Sequence, residues 1–395
     1  MKIRRAHLYS TLFVFSFGLI FGAILFFESK EQQSTISKAP LYTAQYSDQN
    51  ITENAKLQDS QFKRMAFANS PKQMPFYPDN VATIFRAFDL IFAEEDQNNF
   101  EEHGTWVWTP ILQMTPEYMS QIISGAKREE VNVIYLSIDS YLDIFVMPSS
   151  EEKSKLEQEF VDKLQTFIWL ASQENILVDA EAGWRNWAES GHTYKPFAIV
   201  EFVKKFNLEQ PLKFRGFQYD VEPYLLEEYK SSEEGQKLVL ANFVKLINDT
   251  IYNLENSDLK FSVVVPDFYD KNDELTPSFE YKGKKDFAFK HLLRILETRK
   301  GSAIIIMSYR NFAEGRDGSI DISKNEMRTA RAGRYNTSII LAQETGYVPE
   351  PYVTFHNTSK NYFIGEVGKL KSAFSSHRNF AGLAIHYANA YLELE

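Results

Sequence analysis

From about residue 80 onward, two patterns alternate along the chain. Short runs dense in apolar and β-branched residues are separated by longer segments in which apolar positions recur every three or four residues among charged ones. The first kind reads as strand and the second as amphipathic helix. Strands are expected at 105–109 (TWVWT), 132–138 (NVIYLSI), 176–180 (ILVDA), 214–220 (FRGFQYD), 260–265 (KFSVVV), 303–308 (AIIIMS), 338–343 (SIILAQ) and 382–387 (GLAIHY). Helical periodicity marks 151–172, 195–206, 233–253, 287–300 and 363–375. Eight strands with helices between them predict an α/β protein, a (β/α)8 TIM barrel. Near-continuous apolar strands such as AIIIMS suit a parallel sheet buried on both faces. The competing architecture, an open doubly wound sheet, more often carries a glycine-rich phosphate turn after its first strand, and GTWVWTP has none.

The N-terminal part has a different pattern. Residues 8–27 (LYSTLFVFSFGLIFGAILFF) hold no charge over 20 positions, enough for a helix to cross roughly 30 Å of hydrocarbon. Lys2, Arg4 and Arg5 precede the run and Glu28 follows it, so the positive-inside tendency keeps the N-terminus cytoplasmic and exports the rest. A cleaved signal peptide is the alternative, but the run is long for one and FFESKEQQ offers no small-x-small cleavage site. Residues 28–79, rich in Gln, Ser, Asn and Lys, read as a polar linker. The expected organisation is a stub and single-pass membrane anchor at 1–27, a linker at 28–79, and an exported barrel at 80–395.

Composition narrows the chemistry. The net charge is −10, and removing the three basic residues before the anchor makes the remainder more acidic still. Nucleic acid is therefore an unsuitable partner, since it requires a basic face. The absence of cysteine excludes disulfides, a lipobox and a thiol nucleophile. The seven His are scattered with no HExxH or H-x-x-x-H spacing, so no metal or other cofactor is expected. No G-x-S-x-G elbow, P-loop or GxGxxG occurs.

In a barrel the C-terminal strand ends form the working face. Read off the expected strands, that face carries Trp106, Trp108, Asp139, Asp179, Glu181, Trp184, Asp220, Glu222, Asp267, Tyr269, Tyr309, Arg310, Glu344, His386 and Tyr387. Aromatic faces interleaved with carboxylates suit a sugar site, because pyranose C–H faces stack on rings and glycosidic cleavage uses paired acids. A barrel this rich in Tyr and Glu also places some of them at strand ends by chance. The segment 214–224 (FRGFQYDVEPY) is more specific, since Gln218, Asp220 and Glu222 alternate and a strand turns all three to one face. Neighbouring carboxylates repel when both are ionised, so one is held protonated. Glu222, at the strand end, is the expected general acid, with Asp220 beneath it as its tuner.

These motifs resemble the family 18 glycoside hydrolases, the chitinase-like barrels. That family's fourth strand reads D-x-x-D-x-D-x-E. Here the corresponding positions are Arg215, Gln218, Asp220 and Glu222, so the inner pair is kept and the outer acids are replaced. Its sixth strand reads M-x-Y-D, matched by Met307-Ser308-Tyr309 with Arg310 in place of the Asp. The resemblance implies cleavage assisted by an acetamido group, with Tyr309 positioning it. A second template, that of retaining barrel glycosidases with an acid on strand 4 and a nucleophile on strand 7, points instead to Glu344. Both agree on Glu222.

The expected function is a membrane-anchored, exported glycosidase acting on an envelope or extracellular glycan. Glu222, Asp220, Tyr309 and Glu344 are the catalytic candidates. Trp106, Trp108, Asp139, Glu181, Trp184, Gln218, Asp267, Arg310, His386 and Tyr387 are candidates for contacting sugar. Arg215 or Arg310 is a possible partner for an acidic sugar. The rival reading is a retired barrel that binds glycan or acts as a scaffold, in which Glu222 is tied to Arg215 or Arg310.

Overall fold

The computed structural model describes residues 100–270 and 276–395. The expected anchor, the linker and the first residues of the expected barrel domain lie outside the described residues. Among the described residues no helix is long and apolar enough to cross a membrane.

Eight parallel strands close on themselves: β1 (Glu102–Val107), β2 (Val133–Ser137), β3 (Leu177–Ala182), β4 (Gly216–Tyr219), β5 (Lys260–Pro266), β6 (Ala303–Met307), β7 (Ser338–Glu344) and β8 (Phe380–His386). All eight coincide with the expected strands. The pairing of β1 with β8, Thr105 opposite Ile385, closes the barrel and excludes the open sheet. Strand ends differ by a few residues from the sequence reading. Thus β1 stops before Trp108, where Pro110 brings a backbone nitrogen that cannot donate to a ladder.

The principal outer helices are α1 (Pro116–Arg128), α2 (Glu151–Gln173), α3 (Tyr194–Glu209), α4 (Glu233–Asn253), α5 (Ala288–Leu296), α6 (Ser319–Ala332), α7 (Lys360–Phe374) and α8 (Ala388–Leu392). Several begin on local polar chemistry. The Thr115, Ser150, Ser232 and Ser359 hydroxyls accept hydrogen bonds from backbone N–H groups in the first turns of α1, α2, α4 and α7. In α1, Pro116 and Glu117 open the helix and Lys127 and Arg128 close it, as the helix dipole favours. In α2, Phe160, Leu164, Phe167, Ile168 and Ala171 form the buried stripe, a 3–4 spacing that lies on one face of a helix. A hairpin, Phe279–Tyr281 with Lys284–Asp286, follows β5.

The barrel interior is partly polar. At the N-terminal end, the Arg215 guanidinium donates to Asp179 Oδ1 (2.8 Å) and Oδ2 (2.5 Å) and to Glu102 Oε2 (2.7 Å). The Tyr135 hydroxyl also donates to Glu102. Burial opposes ionisation of Glu102, but Arg215 and the hydrogen bonds outweigh it and hold its pKa below the usual value. Between this triad and the strand ends, Trp106 Nε1–H donates to Gln218 Oε1 at 2.7 Å, with both side chains almost wholly buried. Asp179 thus belongs to the interior rather than the mouth. It stands on the third residue of β3, opposite Gly216, at the level where Arg215 enters β4.

Removing the shared cation takes from two buried carboxylates their hydrogen-bonded partner and leaves only the more distant Lys260 charge. Arg215→Ala is expected to lower unfolding free energy by about 3–5 kcal/mol, and the triple change Glu102→Gln, Asp179→Asn, Arg215→Met to recover much of that loss. Denaturant midpoints test this, and a loss below about 1 kcal/mol in the single variant, the size of an exposed pair, would reject a stabilising role for the triad.

Candidate active site

The C-terminal mouth encloses a cavity of about 1300 Å³. Its floor is built from the ends of three adjacent strands. Asp139 lies just beyond β2, Glu181 on β3, and Asp220 directly after β4, with Glu222 two residues further on. The backbone leaves strand geometry at Glu222 (φ −106°, ψ 69°), which opens a single helical turn at Pro223–Leu225. Glu222 therefore stands above the strand but still lines the cavity, as does Asp220. Gln218, the third residue of the expected alternating set, points into the interior to meet Trp106. Gly183 permits the close approach of β3 and β4 here, since a Cβ at this position would fall 1.8 Å from the Asp220 carbonyl oxygen.

These acids share a poorly solvated space. Burial, with a smaller contribution from the neighbouring Asp220 charge, raises Glu222 to about 8, although the Tyr224 hydroxyl donates to its carboxylate and pulls the other way. Burial raises Asp220 to about 6, moderated by His386. Asp139 reaches about 7 through burial and the charges of Asp220 and Asp143, despite a 3.2 Å hydrogen bond from the Gly183 N–H. Glu181, fully buried, is pushed well up by burial and by Asp139 and Asp220. Near neutral pH, Glu222 is thus a protonated acid beside a partly ionised neighbour, the state a proton donor requires.

Across the mouth, Glu344 closes β7 and is almost wholly buried, yet lines the same cavity. Its Oε1 accepts the Gly346 N–H at 2.6 Å, and its Oε2 lies 2.7 Å from His386 Nδ1. Trp108 Nε1 donates to His386 Nε2 at 3.0 Å. An indole N–H only donates, so Nε2 acts as acceptor and the ring proton sits on Nδ1, facing Glu344. Two influences oppose one another at this ring. Burial disfavours the imidazolium, but the Glu344 charge and hydrogen bond, with Asp220 and Glu222 beyond, outweigh it and raise the His386 pKa. The Trp108 contact is that of the neutral ring, because the imidazolium would turn a second donor toward the indole N–H.

The remaining sequence candidates divide by position. Trp184 and Tyr387 line the cavity, with Trp184 45 % exposed at the rim. Trp106, Gln218, Asp267, Tyr309 and Arg310 do not line it. Tyr309 is buried behind His386, with ring centroids 6.1 Å apart. Arg310 is committed to Asp317 (2.9 and 3.2 Å) and to the Tyr309 carbonyl (2.7 Å). Arg215 and Arg310 are therefore both held by groups of the protein itself, so the geometry does not bear out the expectation that one of them meets an acidic sugar. Neither has a hydrogen bond or ion pair to Glu222 of the kind expected for a retired site. Tyr224, Arg185 and His356 went unnoticed in the sequence. Tyr224 follows Glu222 by two residues, a signal within reach of inspection, whereas His356 comes from the loop after β7 and carries no pattern.

No protein-family model and no curated protein matches the chain. Solved structures of several glycoside hydrolases share the barrel fold at low identity. An endo-1,4-beta-mannanase from Rhizomucor miehei is 12 % identical over 72 % of this chain and 85 % of its own, with a TM-score of 0.43. A GH18 chitinase from Pseudoalteromonas aurantia is 10 % identical over 72 % and 93 %, with a TM-score of 0.44. The spore cortex-lytic enzyme SleL of Bacillus megaterium QM B1551 is 13 % identical over 90 % and 86 %, with a TM-score of 0.41. The likeness is one of fold and singles out no family.

The four raised carboxyls make stability depend on pH. Between the ordinary carboxylate range near 4 and the folded values of about 6 to 8 reached by Asp220, Asp139 and Glu222, the folded chain holds protons that the unfolded chain has released. Stability contributed by these groups is thus present at the acidic end of that window and lost as pH rises through the folded values. Calorimetry is expected to show the melting temperature falling from pH 5 to pH 8, with a shallower slope in Asp220→Asn. A melting temperature that rises across this window would contradict the assigned protonation.

Proposed function

We propose that the chain is a glycosidase whose barrel mouth cleaves an envelope or extracellular glycan, with Glu222 as the general acid. The observation that carries this reading is the presence of Glu222 after β4 and Glu344 on β7 in the lining of one cavity, with Glu222, among the described residues, hydrogen-bonded to Tyr224 and to no basic side chain; burial, which raises the Glu222 pKa to about 8, agrees with it. In this scheme Glu222 protonates the glycosidic oxygen as the leaving group departs, and the Glu344 carboxylate attacks the anomeric carbon to form a glycosyl ester. Glu222, now ionised, then takes a proton from water, whose oxygen attacks the anomeric carbon and releases Glu344. Asp220 supports this role by keeping Glu222 protonated, and His386 holds Glu344 in place. Cavity access favours Glu344 over Tyr309 as the second catalytic group. Trp108, Trp184 and Tyr387 supply aromatic surface for sugar. The uncharged run at residues 8–27 supports an exported, tethered location.

One observation favours the rival, a barrel that binds glycan without cleaving it: both Glu344 oxygens already accept hydrogen bonds, from Gly346 and His386.

Reducing-end release by the full chain from a panel of chitooligosaccharides, peptidoglycan and uronic-acid polymers tests the two readings. Glu222→Gln is expected to lower kcat by about 10²–10⁴-fold. The alkaline limb of the profile is expected near the Glu222 value of about 8 and to move to lower pH in Asp220→Asn, since removing a neighbouring negative charge makes Glu222 easier to ionise. Binding without release, unaffected by Glu222→Gln, would establish the rival.

A further inference from the structure

Among the described residues, the acids on the floor of the mouth receive no hydrogen bond or ion pair from a basic side chain, although His386 acts on Asp220 and Glu222, and Arg185 on Glu222, through space. Asp139, Glu181, Asp220 and Glu222 converge on the cavity floor, while Arg215 and Arg310 are committed elsewhere. Arg185, on the cavity wall, is exposed with its guanidinium over the Trp184 ring at 5.5 Å. The crowding of acids has a second, independent feature. Glu181 is 0 % exposed and lines the cavity, yet neither of its carboxylate oxygens has a hydrogen-bond partner of normal geometry; the Ser137 hydroxyl is the polar group beside it. Asp220 Oδ1 is likewise buried and unfilled. Buried polar atoms are nearly always satisfied, so three unfilled acceptors on two residues that line one cavity point to a donor supplied from outside. Among the described residues no group of His, Asp and Glu is arranged to hold a metal ion.

We propose that the mouth takes a glycan carrying free amino groups, and that the ammonium of a 2-amino-2-deoxyhexose residue is received by Glu181 with Asp220 and Asp139 around it. This inference rests on the reading of the mouth as a glycoside site and names its substrate class. An ammonium group has three donors and one positive charge, matching Glu181 Oε1 and Oε2 and Asp220 Oδ1. An acetamido group offers one N–H, no charge and added bulk. A neutral hydroxyl leaves the acids uncompensated, and a uronic acid adds to their repulsion. The aromatic surfaces of Trp108 and Trp184 on the same cavity suit a sugar ring better than a bare polyamine. Binding also has a proton signature: a cation beside these acids favours their ionised forms, so protons held by the empty site leave when the amino sugar enters.

Titration calorimetry on the full chain carrying Glu222→Gln, which slows turnover, compares a fully deacetylated β-1,4-glucosamine tetramer with its N-acetylated counterpart, cellotetraose and spermidine. The glucosamine tetramer is expected to bind about ten- to a hundredfold more tightly than each of the others, the scale of a charge-assisted hydrogen-bond set. Its affinity is expected to fall with salt. Its apparent enthalpy at pH 7 is expected to differ between phosphate and Tris by the enthalpy of released protons. Adding Glu181→Gln is expected to remove most of the preference, and Asp139→Asn provides the same readout should the Glu181 variant not fold. Equal affinity for the acetylated tetramer, cellotetraose or spermidine, a preference that survives both substitutions, or no binding of the glucosamine tetramer would overturn the inference. The first two results leave the glycosidase reading intact. That reading fails separately, if the wild-type chain releases no reducing ends from any glycan.

Discussion

The commitment of Arg215 to Glu102 and Asp179 organises the rest of the barrel. It is a buried cation on the β4 side of the closed end, and it is shared by carboxylates from β1 and β3. Three strands are thereby tied at one level, with the Trp106–Gln218 contact lying between them and the mouth. An interior ion group of this kind adds little stability over well-packed apolar residues, but it is costly to break, which makes it a device for fixing register. Its second effect is at the other end. With the arginine held at the opposite end, the carboxyls at the mouth receive no ion pair from it, and His386 at the end of β8 is a group that opposes the rise of Asp220 and Glu222.

The properties of the mouth follow from that arrangement. Burial raises Asp139, Glu181, Asp220 and Glu222 together, their mutual repulsion adds to it in three of the four, and the opposing influence of His386 on Asp220 and Glu222 does not offset it. The fold tolerates this cost at one place, the lining of a single cavity, and perturbed carboxyls of this kind cluster where function departs from the rules of stability. The opposite wall behaves differently. There Glu344 is satisfied by a backbone N–H and an imidazole, and the chain Glu344–His386–Trp108 joins β7, β8 and the loop after β1 into a fixed surface. One wall thus carries acids poised to exchange protons, and the other a carboxylate held in a set orientation. That asymmetry is what two carboxyl groups with different roles require.

Local pattern determined much of this protein. The eight strands were legible because a parallel barrel strand is apolar on both faces and its neighbours are helices of a different period, a signal contained in about ten residues at a time. The helix starts were legible in Thr115, Ser150, Ser232 and Ser359, whose hydroxyls act within a few residues of themselves. Asp220 and Glu222 were legible because the alternation of a strand carries directly to its end. Tertiary structure alone decided which charges neutralise one another. Arg215 meets Glu102 across 113 positions of sequence and His386 meets Trp108 across 278, distances over which no periodicity survives. It also decided depth: Tyr309, Arg310 and Asp267 end strands as Glu344 and Asp139 do, but the stagger of a closed barrel sets which strand ends reach the cavity and which are buried beside it. The sequence by itself therefore specified the barrel and the placing of Asp220 and Glu222 at its mouth, and the closure of the sheet specified the partners, because pairing among charges depends on three-dimensional proximity that a linear pattern does not encode.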